Sequence, residues 1–162
     1  TSKLEDFTNG SSFHRVLWDD AEKGSSSTEL ANDKNIRRVV MCSGKVYFDL
    51  LEERDARGLN DIYLLRFEQF YPFPAMSALK ELERFQNAEM VWCQEEPKNQ
   101  GAWSFMEPNI EWVLSRMKAK FKRPIYVGRP ASSSPATGLA SQHKEQQNLL
   151  VEEALNLKEN KK

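Results

Sequence analysis

Residues 91–103, VWCQEEPKNQGAW, carry the strongest fold signal in this sequence, because an apolar strand changes here into a polar loop. The run from Met90 to Cys93 consists of residue types that favour a β-strand. Pro97 cannot donate a ladder hydrogen bond, so it ends the strand. Gly101 loosens the backbone before Trp103 begins a helical pattern. Strand, polar loop and helix in this order predict one unit of an open α/β sheet, whose ligands and partners gather at the carboxyl ends of the strands.

Similar units lie on both sides of this stretch. Predicted strands cover Arg37 to Cys42, Asp61 to Phe67, Met90 to Cys93 and Arg123 to Gly128; predicted helices cover Lys45 to Arg57, the runs that follow Pro74 and Trp103, and Leu139 to Leu157. The second strand is almost continuously apolar, as expected for a strand covered on both faces. Alternating strands and helices predict an α/β fold, a three-layer α/β/α domain with a mainly parallel sheet.

The domain organisation follows from where this alternation begins and ends. Residues 1–36 are predicted to be an irregular arm, which Phe7, Phe13 and Val16 to Trp18 could hold against the domain or against a neighbour. Within the arm, residues 24–28 (GSSST) are expected to be a poorly ordered loop, kept in solvent by neighbours such as Asp19. Residues 37–157 form the predicted α/β domain, and residues 158–162 a charged tail.

Composition excludes several classes of protein. Of the 162 residues, 40% are hydrophobic and 29% charged, which is typical of a globular domain. The formal net charge of −1 gives no basic field for nucleic acid or a membrane surface, and no apolar run has membrane-helix length. Cys42 and Cys93 end apolar runs, which favours buried reduced thiols over a disulfide. His14 and His143 have no second ligand at metal spacing, so no metal site is predicted.

Two groups of polar residues could form sites at the carboxyl ends of the predicted strands. Glu95 and Glu96 are consecutive, so they would point to opposite faces and do not form an obvious acid–base pair; an ion pair of either with Arg66 is as plausible as separate solvated charges. Arg129 with Ser132, Ser133 and Ser134 could hold a phosphate or the phosphate end of a coenzyme A. Neither group contains a nucleophile, base and orienting residue in a known arrangement.

The turn Ser43-Gly44 is a third, weaker feature. It lies between a predicted strand and a predicted helix, where backbone N–H groups can bind an anion. A single Ser-Gly lacks the further glycines of a nucleotide-binding fingerprint, so a plain tight turn is the simpler interpretation.

Six stretches resemble one family, the first, thiamine-diphosphate-dependent component of 2-oxoglutarate dehydrogenase. The most specific is EEPKNQGAW at residues 95–103, which is similar to the family's EEP-x-NQGAW segment. The others, in the family's order, are LEDFTNGSSFHRVL (4–17), RVVMCSGKVYFDL (38–50), RFEQFYPFP (66–74), GRPASSSPATG (128–138) and HKEQQNLLVEEAL (143–155). The resemblance covers nearly the whole chain and implies the carboxy-terminal domain of a transketolase-like architecture.

The resemblance implies a role without chemistry of its own. In this family thiamine diphosphate and Mg²⁺ lie between the two preceding domains, and the metal motif (GDG followed by an Asn) does not occur in this sequence. The implied partners are those cofactor-binding domains, a second copy in a homodimer and the dihydrolipoyl succinyltransferase component, with no nucleic acid and no membrane. Arg66, Glu95, Glu96, Asn99, Gln100 and Trp103 are the expected domain-interface residues.

The isolated chain is therefore expected to be inactive, and to self-associate through the apolar surface that its neighbours would cover. Trp103 is the aromatic residue expected to face those neighbours. The location would be cytoplasmic in a bacterium and the mitochondrial matrix in a eukaryote.

Three alternatives remain open from the sequence. The first is the same domain of a related thiamine enzyme acting on 2-oxoadipate or pyruvate. The second is a regulatory module that binds coenzyme A or a nucleotide through the loop at Arg129. The third is a pure interaction domain that binds no small molecule.

Overall fold

The computed structural model describes residue 4, residue 8 and residues 10–155, and within them a five-stranded sheet lies between two helical layers. The strands are β1 (Val16–Leu17), β2 (Arg38–Cys42), β3 (Ile62–Phe67), β4 (Glu89–Cys93) and β5 (Ile125–Val127). The helices are α1 (Val46–Ala56), α2 (Ala75–Leu82), α3 (Trp103–Arg116) and α4 (Ala140–Ala154), with short 3₁₀ turns at Asp33–Asn35 and Glu83–Phe85.

The strand order is β1-β3-β2-β4-β5, and all pairs are parallel except β1 with β3. Parallel strands need crossover helices, which explains the strict alternation of strands and helices after residue 37. The predicted α/β fold with a mainly parallel sheet and three layers is confirmed, and strand bounds differ from the prediction by one or two residues.

Alternate residues of the central strands build two separate cores. On one face Val39, Met41 and Trp92 pack with α2 and α3, and on the other Val40 and Val91 pack with α1 and α4. Because successive strand side chains point to opposite faces, a strand covered by both helical layers must be apolar throughout. All five residues of β2 are buried, Arg38 included.

Arg38 shows how a charge is accommodated in this strand. Its guanidinium pairs with the Glu89 carboxylate at 2.7 Å and donates to the carbonyl oxygens of Glu153 and Ala154, at the end of α4. The α4 carbonyls at a helix end lack intrahelical donors, so the same arginine satisfies them. The contact fixes the last helix to the amino end of the sheet.

Within the amino-terminal arm, the prediction that Asp19 helps to keep the GSSST loop in solvent is wrong, and a short strand at Val16 and Leu17 was not predicted. Val16 and Leu17 form the antiparallel edge strand β1, and Asp19 is fully buried in an ion pair with Arg54 of α1. A two-residue strand leaves no periodic pattern, and the partner of Asp19 lies 35 residues away, so neither feature was visible locally. The loop also makes defined contacts, since the hydroxyls of Ser26 and Thr28 donate to Asp55 at 2.7 and 2.8 Å.

Other predictions about the ends of the chain lie outside the described residues. These are the packing of Phe7, the last turn of the helix predicted to reach Leu157, and the charged tail at 158–162. Within the described residues, no helix combines the length and the hydropathy needed to cross a membrane.

Candidate functional site

Four loops meet at the carboxyl edge of the sheet. They follow β2 (residues 43–45), β3 (68–74), β4 (94–102) and β5 (128–139). Between the first three of these loops and the start of α3 lies a groove of about 460 Å³. We refer to it as the edge groove; its lining residues that matter below are Lys45, Phe70, Tyr71, Glu95, Glu96 and Phe105.

The loop after β4 is shaped by Gln94, which is 4% exposed. Its side-chain nitrogen donates to the carbonyl oxygens of Glu96, Pro97 and Gln100, at 3.2, 3.2 and 2.8 Å. Its side-chain oxygen accepts a hydrogen bond from the Trp92 indole at 3.0 Å. One buried amide therefore replaces the backbone partners that the loop lacks, because buried polar groups are costly unless they are hydrogen-bonded.

Gly101 lets this loop close on Gln94. Its backbone has φ +65°, and a Cβ at this position would lie 2.9 Å from Glu96 Cβ and 3.0 Å from Gln94 Nε2. Because the backbone is left-handed here and the neighbouring atoms are close, any side chain at position 101 would introduce local strain. The glycine that the sequence analysis interpreted as a loosened backbone is a close-contact position.

The two sites predicted separately, on the β4 loop and on the β5 loop, form one structure. The Asn99 side chain exchanges two 2.9 Å hydrogen bonds with the backbone of Ser132, and Gln100 donates to the same Ser132 carbonyl at 3.1 Å. Lys98 N–H donates to the Arg129 carbonyl at 3.0 Å. Asn99 and Gln100 therefore join the loops within the domain, a role that neither residue type nor spacing predicted.

Tyr126 also joins the β4 and β5 loops, through its hydroxyl group. Its hydroxyl donates to the Arg129 carbonyl at 2.7 Å and lies 3.2 Å from the Glu96 carbonyl. Burial raises the pKa of Tyr126 to about 12, so the hydroxyl remains a donor at neutral pH. The ring packs against Trp103 with centroids 5.2 Å apart.

Trp103 is therefore not the exposed aromatic residue that the sequence analysis expected. It is 6% exposed and belongs to the core formed with α2 and α3. The aromatic side chains exposed near this edge are Tyr71 (83%) and Phe105 (38%), with Trp112 (44%) further along α3. Trp103 begins the helix, and the inward stripe of that helix starts with its ring, which explains the difference.

Of the two alternatives left open for Arg66, the ion pair with Glu95 or Glu96 does not form. Arg66 pairs with Glu68 at 2.7 Å and its guanidinium lies 4.7 Å from the centre of the Tyr47 ring. Glu95 pairs instead with Lys45, the residue before α1, at 2.6 Å. The hydrogen bond from Lys45 to Glu95 raises the pKa of the ammonium. Strand order does not determine whether Arg66 or Lys45 points toward the loop after β4.

Arg129 of the second predicted site is 7% exposed, far more buried than a ligand-loop arginine was expected to be. Its Nη2 donates to His143 Nδ1 at 2.9 Å, whereas its Nε has no hydrogen-bond partner in the described structure. Ser134 donates its hydroxyl to the Ala136 carbonyl, and the Ser132 hydroxyl accepts from Ser134 N–H. Ser133 is exposed. Two of the three serine hydroxyls thus already have partners within the loop.

The sequence analysis missed several residues that shape this edge. Gln94, Lys45 and Tyr71 were not singled out, although Gln94 directly follows an apolar strand and Lys45 directly precedes a helix. A polar residue directly after a buried strand was a usable signal for Gln94, because its side chain has to find partners inside the domain. No local signal distinguishes Tyr71, whose exposure results from the path of the β3 loop.

The residues of this domain do not fit a thiamine diphosphate and Mg²⁺ site. In the described part of the chain, no group of three or more histidine, cysteine, aspartate or glutamate side chains could hold a metal ion. The carboxylates at the edge groove are Glu95, which is paired with Lys45, and the exposed Glu96. The cysteines Cys42 and Cys93 are free and buried, and burial raises the pKa of Cys42 to about 12. Thiols buried in this way remain protonated and are poor nucleophiles.

The fold defines the class as an open α/β domain whose polar loops gather at the carboxyl edge of a mainly parallel sheet. Residues 1–155 match the family model described as 2-oxoglutarate dehydrogenase C-terminal, and the chain belongs to this family. It is 58% identical over 155 residues to the 2-oxoglutarate dehydrogenase E1 component of Brucella anthropi, covering 95% of this chain and 16% of that protein. The same-named proteins of Brucella ovis and Brucella abortus are also 58% identical, over 95% of this chain and 15% of each relative.

The coverage has a direct consequence. The chain spans about one sixth of the length of the curated relatives it matches. It corresponds to the carboxy-terminal domain of an enzyme subunit, as the resemblance implied.

Proposed function

We propose that this chain is a structural and dimer-supporting domain of a 2-oxoglutarate dehydrogenase first component, and that it carries no catalytic group. The whole subunit would decarboxylate 2-oxoglutarate with thiamine diphosphate and Mg²⁺ held by its other domains. It would pass the succinyl group to the dihydrolipoyl succinyltransferase component within the tricarboxylic acid cycle. The similarity to proteins named 2-oxoglutarate dehydrogenase E1 component favours 2-oxoglutarate over 2-oxoadipate or pyruvate as the substrate.

One observation carries the interface assignment: the edge loops are rigidly held while their outer groups stay exposed. Gln94, Asn99 and Gly101 fix the β4 loop, yet Glu96, Lys98 and Asn99 are all exposed to solvent. Partner surfaces with little conformational freedom lose less entropy on binding. We therefore assign this edge, with Glu95, Glu96, Asn99 and Gln100, as the surface that contacts the cofactor-binding domains.

The adjacent aromatic residues extend this surface. Tyr71 lies on a loop held by Gln69, whose Nε2 donates to the Pro72 carbonyl at 2.7 Å and whose backbone N–H donates to the Arg15 carbonyl at 3.2 Å. A tyrosine exposed by 83% on a held loop is a typical interface anchor. Interface burial of such a ring would remove a large apolar area from water.

The chemical part of the proposal is tested by assaying this chain beside a full-length first-component subunit that contains it. The reaction followed is 2-oxoglutarate-dependent reduction of an artificial electron acceptor, with thiamine diphosphate and Mg²⁺ supplied. We expect turnover by the subunit and none by the 162-residue chain. Turnover by the chain alone would overturn the proposal.

The interface part is tested by Tyr71→Asp in the same subunit, with Leu149→Asp as the matched control on α4, where Leu149 is 44% exposed. We expect Tyr71→Asp to weaken the dimer and lower turnover, measured by sedimentation velocity and the acceptor assay, because a charge would be buried at the interface. Equal behaviour of the two variants would contradict the assignment of this edge.

A second function has one observation in its favour, which is the buried Arg129 Nε without a partner. Lys45 lies near enough to Arg129 for the two cations to influence each other electrostatically, and the amino end of α1 begins beside Lys45. Lys45 is already paired with Glu95, so the partnerless Nε of Arg129 and the nearby helix amino terminus are the groups that favour an anion such as the phosphate of a coenzyme A. We propose the loop of Arg129, Ser132, Ser133 and Ser134 as an effector site on this basis.

Isothermal titration of the subunit with coenzyme A, and with inorganic phosphate, tests the effector site. Saturable heat that is lost in Arg129→Met and retained in the exposed-arginine control Arg57→Met is the expected result. Absence of saturable heat with either ligand would remove the effector proposal and leave the interface proposal unaffected.

A further inference from the structure

We infer that Cys42 and Cys93 form a two-coordinate site for a thiophilic divalent metal ion of the mercury(II) class, which binds to both sulfur atoms inside the domain. This inference goes beyond the proposed function and does not depend on it. It starts from the register of the parallel strands β2 and β4, in which Met41 lies beside Trp92. The next residue of each strand is its terminal cysteine, so Cys42 and Cys93 follow as neighbours at the carboxyl edge of the sheet.

The two thiols also share one face of the sheet. Both belong to the core that the sheet forms with α1 and α4, whereas Met41 and Trp92 belong to the opposite core. Burial raises the pKa of Cys93, and Cys42 raises it further, which requires that the two side chains lie close together. Register, face and electrostatic influence therefore all place the two sulfur atoms side by side.

The spacing of parallel strands suits a metal bridge better than a disulfide. Neighbouring strands lie about 4.7–4.9 Å apart, and side chains that point in the same direction keep this spacing at their Cβ atoms. A disulfide needs Cβ atoms about 3.5–4.5 Å apart, so it would pull the two strands together inside a packed core. Two metal–thiolate bonds of about 2.3 Å in line span about 4.6 Å, which matches the spacing of the strands.

The number of ligands restricts the kind of ion. Structural Zn²⁺ takes four protein ligands, and in the part of the chain that the structure describes no group of three or more histidine, cysteine, aspartate or glutamate side chains could hold a metal ion. Two thiols without further ligands suit a soft ion that binds two sulfur atoms in line. Mercury(II), silver(I) and copper(I) are ions of this kind.

The charge of the surroundings distinguishes among these ions. Arg66 of β3 lies in register beside Cys42, and its guanidinium is already paired with Glu68 at 2.7 Å. A monovalent ion with two thiolates would leave a net negative charge in this core, and burying an unpaired charge is costly. Mercury(II) with two thiolates is neutral and avoids this cost, so the site favours the divalent ion.

Binding is a ligand exchange and involves no oxidation or reduction. Each sulfur atom loses its proton as it bonds to the ion, so one Hg²⁺ is taken up and two protons are released. Burial raises the pKa of Cys42 to about 12, so at neutral pH its proton leaves only because the ion displaces it.

The ion has to enter through a local opening of the domain, because both cysteines are 0% exposed. The residues directly after them, Ser43 and Gln94, line the edge groove. Each thiol is therefore only one residue away from a surface that solvent reaches. We expect uptake to be slow and to become faster in urea concentrations below the unfolding transition.

The experiment treats the reduced 162-residue chain, whose folding is first confirmed by circular dichroism, with mercury(II) chloride. Bound mercury is counted by elemental mass spectrometry after gel filtration, and X-ray absorption at the mercury edge gives the number of sulfur ligands. We expect one mercury ion per chain with two sulfur ligands, and release of about two protons per ion.

Competition with 2-mercaptoethanol measures the contribution of the second thiol. Two thiols held together act as a chelate, so Cys42→Ala and Cys93→Ala should lose mercury at a monothiol concentration on the order of a hundredfold lower than the unchanged chain. The corresponding valine variants keep the core filled and replace an alanine variant that does not fold. Met41→Leu is the matched control, because it removes a sulfur atom from the opposite core with little change in volume, and it should retain mercury fully.

Three results would overturn the site. They are a single sulfur ligand per mercury ion, loss of mercury from the unchanged chain and the single-cysteine variants at the same monothiol concentration, and uptake by the unfolded chain alone. The assay and dimer measurements of the subunit do not enter this test, so its failure leaves the interface proposal unaffected.

Discussion

We call the buried contacts of Arg54 with Asp19, Asp55 and Ser26 the anchor of the amino-terminal arm. The anchor and the carboxyl edge of the sheet are both rich in polar side chains, but charges are paired in the anchor and partly unpaired at the edge. At the anchor, Arg54 is fully buried and contacts Asp19, Asp55, and the Ser26 hydroxyl. At the edge, Glu96 is exposed without an ion pair and Arg129 keeps a buried Nε without a partner. A complete network indicates a role inside the domain, and an incomplete one indicates a group that awaits a partner.

Asp19 illustrates how complete the anchor is. Its carboxylate pairs with Arg54, accepts from Leu64 N–H at 2.7 Å and from Ala21 N–H at 2.9 Å. Burial raises the pKa of Asp19, against the opposing effects of Arg54 and these hydrogen bonds. The segment of the arm around Asp19 therefore packs as part of the domain.

The largest expected effect comes from breaking the anchor. Arg54→Met should lower the free energy of unfolding by about 3–5 kcal/mol, because it leaves the buried carboxylate of Asp19 uncompensated. Urea denaturation followed by tryptophan fluorescence measures it. The control, Arg57→Met, removes an exposed arginine that pairs with Glu53 one turn apart and should change the free energy by less than about 0.5 kcal/mol. Similar losses of unfolding free energy in both variants would show that the buried ion pair stabilises the fold no more than the exposed one.

The next effect tests the rigidity of the edge. Gly101→Ala should destabilise the chain by about 2–4 kcal/mol, because it adds both a left-handed alanine and a clash with Gln94 and Glu96. Gly58→Ala is the control, with φ +61° and open space around its Cβ, and should cost only about 1 kcal/mol. Thermal unfolding of the two variants gives the difference. A loop that tolerates alanine at 101 as well as at 58 would not be held as described.

The acid dependence of unfolding tests how the carboxylate of Asp55 stabilises the anchor. Burial acts to raise the pKa of Asp55, but hydrogen bonds from Ser26 and Thr28 together with Arg54 lower it below the usual value. A carboxyl group with a lowered folded-state pKa stabilises the fold above its unfolded-state pKa of about 3.9, and this stabilisation is lost as the pH falls toward the folded-state pKa. The free energy of unfolding should therefore fall less steeply below about pH 4 in Asp55→Asn than in the unchanged chain.

Urea unfolding at a series of acidic pH values measures this slope. The control is Asp61→Asn, which removes one charge from the half-exposed pair with Arg37. If Asp55→Asn kept the full acid slope of the unchanged chain, the hydrogen bonds from the GSSST loop would not be stabilising the carboxylate.

The smallest expected effect concerns the junction of the two edge loops. Asn99→Ala should cost about 1 kcal/mol or less, since its hydrogen bonds to Ser132 are exposed and water can replace them. Amide hydrogen exchange of Ser132 should become faster in this variant, while exchange in β2 should not change. Unchanged protection at Ser132 would show that the loops are joined by other contacts.

Much of the fold was predictable because it depends on local sequence patterns. The strands β2, β3 and β4 are apolar on both faces, and each is followed by residues that end a strand or start a helix. The two-residue strand β1 was not predictable, because its existence depends on pairing with Phe67 and Arg66 some 50 residues away. The polar loops of the edge were predicted at the carboxyl ends of parallel strands, but as two separate groups, because only the tertiary structure shows the hydrogen bonds of Asn99 and Gln100 to Ser132 that join them.

The sequence by itself determined the α/β alternation and the family, and it placed the polar loops at the carboxyl edge of the sheet, since these features depend on periodicity and on specific motifs. Only the tertiary structure decided that Trp103 points into the core, that Lys45 and not Arg66 pairs with Glu95, and that Asp19 is buried against Arg54. Pairing of charges depends on distances between elements that are far apart in the chain, and no local pattern encodes those distances. For the same reason, the free carboxylate of Glu96 became visible only when the partners of every neighbouring cation were known.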